Sequence, residues 1–126
     1  MPGQSLPLLP PVAYLTYVQN TGAAFGLLKG RQGLFIGLSV LVILWVGWEL
    51  LRNVAMAGLP RVSYALILGG AAGNLIDRLR WGYVVDFLDL RVWPVFNVGD
   101  SAITIGVSLL VLKALRSERR HVTPDT

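Results

Sequence analysis

The chain has no cysteine, and its one histidine, His121, lies in a polar C-terminal tail. The first absence excludes thiol nucleophiles, disulfides and thiolate-held metals. The second leaves the apolar part of the chain without an imidazole for a Ser-His-Asp triad or a histidine-rich metal site. Charge is scarce too, at 14% of 126 residues against 54% hydrophobic, and the mean hydropathy is +0.60. That balance is too apolar for a soluble domain of this size and places the chain in a membrane. The net charge of +4 comes from basic residues that flank apolar runs and do not interleave with aromatics. Such a pattern suits lipid headgroups, not nucleic acid. Heptads, internal repeats and low-complexity stretches are missing, and only the last ten or so residues have the polar composition of disorder.

What is present is a set of three apolar segments. Gly33 to Leu51 carries only Glu49 as a charge and matches the roughly 20 residues that cross a bilayer core. Leu59 to Leu79 holds an uncharged stretch from Val62 to Ile76, in which Gly69 and Gly73 form a small-xxx-small face. Such a face lets helix backbones approach closely in lipid, although glycine is frequent in membrane helices in any case. Val98 to Leu115 has an uncharged core from Ser101 to Leu112, with Lys113 placed to snorkel toward headgroups. With three spans, Arg52, Arg61 and the tail cations Lys113, Arg116, Arg119 and Arg120 share one side, six basic residues against five. The positive-inside tendency then puts the C terminus in the cytoplasm. Asn20, Arg78, Asp86, Asn97 and Asp100 gather at the opposite, outer interface.

The N-terminal eleven residues contain four prolines and no charge, which excludes both a helix and a basic-headed signal peptide. They read as an extended lead-in. Val12 to Val18 and Val84 to Val95 are rich in β-branched and aromatic residues, which predicts short strands at the outer surface. The expected architecture is a membrane α-helical protein of three transmembrane helices with a small outer-face β-sheet. It is one domain over residues 1–126, with a cytoplasmic polar tail from 117 to 126.

Two carboxylates beside hydrocarbon, Asp86 in Val84-Val85-Asp86-Phe87 and Asp100 in Asn97-Val98-Gly99-Asp100, call for a function because ionised groups there are costly. Like charges in a poorly solvated site share one proton. The ionised member can then take a proton from water attacking a carbonyl, while the protonated member polarises that carbonyl and later helps protonate the leaving group. Taken singly, Asp100 also reads as a helix N-cap, and Asp86 as a solvated loop acid paired with Arg80 or Arg91. Asn74 lies one helical turn before Arg78, so an amide and a guanidinium point together toward the outer interface. Asn74 and Asn97 would bind substrate backbone or orient the aspartates, and Arg78 would hold a carbonyl or lipid ester. The plainer reading pairs Arg78 with Asp77 as a headgroup anchor, and Asp77 is expected to be structural. Asn20 with Gly22 fits a strand-capping turn. Trp45, Trp48, Trp81 and Trp93 read as an interfacial belt without a substrate role.

Four motifs in order, Asn20-Thr21-Gly22-Ala23-Ala24-Phe25-Gly26, Gly69-Gly70-Ala71-Ala72-Gly73-Asn74-Leu75-Ile76-Asp77-Arg78, Val84-Val85-Asp86-Phe87 and Phe96-Asn97-Val98-Gly99-Asp100-Ser101, resemble those of the bacterial lipoprotein signal peptidases (signal peptidase II). The resemblance implies a four-helix inner-membrane aspartyl peptidase that cuts the signal peptide from prolipoproteins immediately before a diacylglyceryl-modified cysteine. It makes Asp86 and Asp100 the catalytic pair and Asn20 a site residue. It also implies no metal or organic cofactor, prolipoprotein and membrane lipid as partners, and a monomer. The family's first helix, with an aspartate and a lysine near its outer end, has no counterpart here, so the chain is expected to be N-terminally shortened. Gly99 stands where alanine is usual, a departure expected to matter little.

Other classes fit less well. A GxGD-type intramembrane protease has glycine where Asn97 stands and is far larger. A Ser-Lys peptidase would need Lys113 on the same membrane side as Ser101. A non-catalytic binding or proton-relay subunit would use the same aspartates without cutting anything, and an inactive truncated peptidase would also be silent.

Overall fold

The computed structural model describes residues 1–21 and 30–122. Residues 22–26 of the Asn20 motif and the tail from 123 lie outside the described residues. The elements run β1 (Ser5–Leu9), β2 (Ala13–Asn20), α1 (Gln32–Arg52), α2 (Leu59–Trp81), β3 (Val84–Asp89) and α3 (Val98–Val122).

Helices α1 and α3 are both long and apolar enough to cross a bilayer. Helix α2 has 23 residues, about 35 Å at 1.5 Å per residue, but Arg61, Ser63, Asn74 and its glycines dilute the apolar run. Leu41 and Leu44 of α1 are each 64% exposed, whereas a soluble core helix would bury them. Glu49, the one charge within the first apolar segment, is paired with Arg52 at 3.0 Å at the helix end.

The helices meet along one seam of α2. Its buried residues Ser63, Ile67, Gly70 and Asn74 recur at steps of four, three and four, the spacing of a single helix stripe. At Gly70 an added Cβ would collide with the Gly99 carbonyl oxygen, and at Gly106 one would stand 2.7 Å from the Ser63 carbonyl. The expected small face at Gly69 and Gly73 is therefore corrected, since among the described residues nothing lies within 4 Å of an added Cβ at either. One residue turns a helix by about 100°, so Gly70 and not its neighbour confronts α3. The same seam delivers Asn74 and, a turn later, Arg78 to the end of the bundle.

At that end Gly82 adopts a left-handed φ of 75° and its N–H closes on the Arg78 carbonyl at 3.0 Å, which stops α2 and turns the chain into β3. The sheet is antiparallel in the order β1-β2-β3. The segment expected as a lead-in contributes the exposed edge strand β1, paired from Ser5 to Thr16. An edge strand tolerates Pro7 because its missing N–H is not needed inward. Strand β3 ends at Asp89, short of the predicted Val95, because Arg91 takes a φ of 65° and Pro94 lacks a donor. The chain bulges out over residues 90–95 and returns at Phe96, whose N–H and carbonyl bond Leu88. Helix α3 continues to Val122, through residues expected as tail.

Candidate active site

The turn at Gly82 and the pairing of β3 with β2 set Asp86 behind the bundle end, 2% exposed. The end of β2 brings Asn20, whose Nδ2 donates to Asp86 Oδ2 at 2.8 Å, and Asn97 Nδ2 donates to Asp86 Oδ1 at 2.8 Å. Asp86 is thus a buried strand residue and not a solvated loop acid, and the ion pair of Arg91 is with Asp89. Burial holds the Asp86 carboxyl above the usual carboxylate range. The Asn20 and Asn97 amides oppose the rise, the nearby Asp100 charge adds to it, and the Arg78 charge opposes it.

Asp100 is the third residue of α3, and the N-cap is Asn97. Asn97 Oδ1 accepts the Asp100 N–H at 2.9 Å, so the cap reading of Asp100 is corrected. A carboxylate in the first turn is favoured by the helix dipole. Its Oδ1 accepts from Asn74 Nδ2 at 2.9 Å. Asn97 therefore bonds the Asp86 carboxylate through its amide nitrogen and the Asp100 backbone N–H through its oxygen, and is itself only 5% exposed. It does not line the cavity that Asp86 and Asp100 share.

The space beside Gly99 is part of the same construction. An added Cβ there would stand 2.8 Å from Asn74 Oδ1 and 3.0 Å from Asn97 Oδ1. The two amides occupy the room that a side chain would take, so the departure at Gly99 has a local consequence.

Asn20, Asn74, Arg78, Asp86 and Asp100 all line one cavity of about 880 Å³. The Arg78 guanidinium lies over the Phe35 ring of α1 at 5.0 Å. Asp77 does not line the cavity. Most of the wall is apolar, with Phe35, Leu38 and Val42 from α1 and Ile103 from α3. Sequence reading misses these residues, because a lipid-facing and a cavity-facing leucine have the same signature. Trp93, read as part of an interfacial belt, also lines this cavity with Leu90, Pro94 and Val95. Pro94 beside it, in a stretch with strong strand propensity, is the signal that the chain leaves the sheet there. Trp45 instead packs edge-to-face on Tyr64 at 6.0 Å, and Trp81 carries Arg80 at 4.9 Å. Among the described residues no group of three His, Cys, Asp or Glu is arranged to hold a metal ion.

Known proteins resemble this chain over most of its length. The sequence is 51% identical over 118 residues to the lipoprotein signal peptidase of Halothermothrix orenii, covering 92% of this chain and 79% of that protein. To the lipoprotein signal peptidase of Moorella thermoacetica it is 53% identical over 114 residues, covering 90% and 76%. A bacterial membrane enzyme solved by the in meso method at 2.3 Å superposes with a TM-score of 0.90 at 29% identity, over 100% of this chain and 79% of that one. A second, solved at 1.9 Å, gives 0.78 at 32% identity over 91% and 77%. The sequence model of signal peptidase II matches residues 1–116. With nearly the whole fold and all four motifs inside that match, the chain belongs to the signal peptidase II family.

Proposed function

We propose that this chain is an integral inner-membrane aspartyl endopeptidase that removes signal peptides from prolipoproteins, cutting before the diacylglyceryl-modified cysteine. The observation that carries the reading is the pair Asp86 and Asp100, joined through Asn97 on one largely apolar cavity. The two acids share a proton, and the burial of Asp86 favours its residence there. Water attacks the scissile carbonyl as the ionised member removes its proton. The protonated member polarises the carbonyl oxygen, then helps to protonate the departing amine. Asn20 and Asn74 hold the two carboxylates in place, and Arg78 receives a backbone carbonyl or lipid ester oxygen. The apolar wall accommodates the substrate's hydrocarbon, and the chemistry calls for no metal or organic cofactor.

In this reading α1, α2 and α3 all span the bilayer in a monomer. The sheet lies at the outer face, and the basic end of α3 is in the cytoplasm against anionic headgroups. Incubation of the purified chain in detergent with a prolipoprotein, with and without its diacylglyceryl group, tests the proposal. Mass spectrometry should find a new N-terminal lipid-modified cysteine from the first substrate only. Equal cutting of both would remove the lipid from the reading, and cutting of neither would favour a non-catalytic or inactive protein.

A further inference from the structure

Asp86 and Asp89 lie three residues apart on β3, so they face opposite sides of the strand. The proposed mechanism uses only the first, yet Asp89 is also buried, at 6% exposure. Its Oδ2 accepts the Thr16 hydroxyl at 2.7 Å, and its Oδ1 accepts the Arg91 N–H at 2.9 Å. Thr16 has one hydroxyl proton, and it goes to Asp89. Ser5, 2.7 Å from Thr16 Oγ1, is therefore the donor of that pair. Arg91 Nε lies 3.5 Å from Asp89 Oδ2, and the guanidinium stacks 3.9 Å above the Tyr14 ring. These contacts surround a backbone at φ 65°, a conformation that an arginine adopts only when its surroundings impose it. They fix the start of the 90–95 bulge, whose neck is closed by the Leu88 and Phe96 backbone bonds. The bulge carries Trp93, which lines the cavity.

We propose that Asp89 is a positioning residue for substrate binding, holding the 90–95 bulge through Arg91 and Thr16 so that Trp93 forms an apolar contact with the substrate. This rests on the peptidase reading of the cavity. Trp93 is the specificity-determining contact, and Asp89 acts only through it.

A double-mutant cycle on the whole chain in detergent tests the proposal, with Asp89→Asn, Trp93→Ala and the double variant. The readouts are the Kd and the cleavage kinetics of a diacylglyceryl-modified prolipoprotein peptide. Each single variant should raise KM and Kd about tenfold with kcat nearly unchanged, the signature of lost binding rather than lost chemistry. The double variant should be no worse than Trp93→Ala, because residues acting in series do not add. Additive losses, or a fall in kcat at unchanged KM, would overturn it. If Asp89→Asn does not fold, Thr16→Val removes one of the same hydrogen bonds at similar volume and should show a smaller shift with the same non-additivity. A wild-type chain that binds the peptide without cutting it would refute the proposed activity and leave the Kd cycle to decide this inference. A chain that neither binds nor cuts would refute both.

Discussion

Asn97 does two jobs that substitution can separate. Asn97→Ala removes the oxygen that caps α3 at the Asp100 N–H and the amide that donates to Asp86 at 2.8 Å. Loss of the cap costs about 1 kcal/mol of folding stability. Loss of a donor to a charged acceptor costs about 1.5–3 kcal/mol, but only while Asp86 is ionised. The second loss therefore raises the Asp86 pKa further and moves the limb of the kcat/KM profile that reports it to higher pH. Asn97→Ser keeps a capping oxygen and is too short to reach Asp86. Where Asp86 is protonated the serine variant should melt near wild type and the alanine variant below it, and both should share the shifted pH profile. Thermal melting in detergent and pH-rate profiles of the three proteins measure this. An alanine profile that superimposes on wild type, or moves to lower pH, would refute the account of Asn97 as the link between the acids.

Gly70→Ala drives a Cβ into the Gly99 backbone and should cost about 1–3 kcal/mol by overpacking, whereas Gly69→Ala should melt at or above the wild-type temperature. The reverse order would mean that the α2 seam is misassigned. The two β3 carboxyls should have opposite effects on stability. Asp86 holds its proton more tightly folded than unfolded, so its contribution is full below the unfolded value near 3.9 and is lost as pH rises through the folded value. Asp89 is held below the usual range by the Thr16 hydroxyl and the Arg91 N–H, so its contribution is present above about 3.9 and is lost as pH falls through its folded value. Asp86→Asn should flatten the first part of the pH-stability curve and Asp89→Asn the second, read from melting temperatures across pH. Asn74→Ala and Arg78→Ala should each reduce turnover without abolishing it, and wild-type kinetics in either would return that residue to a structural role.

The site was legible before the fold because its chemistry is concentrated in residue types that are costly beside hydrocarbon. Asp86, Asp100, Asn74 and Arg78 stand out in apolar surroundings, and the structure brings them to one cavity. The two helices apolar enough to cross a bilayer, α1 and α3, were legible from the long apolar runs, most clearly α1. Partner choice was not. Gly69, Gly70 and Gly73 have the same composition, and only helix phase relative to α3 selects Gly70. Strand β1 was hidden because prolines argue against a helix without arguing for a sheet edge. The division of labour between Asn97 and Asp100 at the α3 cap depends on a three-residue offset that either side chain could satisfy. That Trp93 also lines the cavity was not legible, because composition does not show which turn carries a tryptophan.

The most direct test is cleavage of a diacylglyceryl-modified prolipoprotein by the purified chain beside Asp86→Asn and Asp100→Asn, with each protein's melting temperature recorded. The shared-proton dyad predicts that both folded variants lose about 10²–10⁴-fold in rate. Substantial cleavage by either folded variant would remove that aspartate from the dyad and contradict the mechanism.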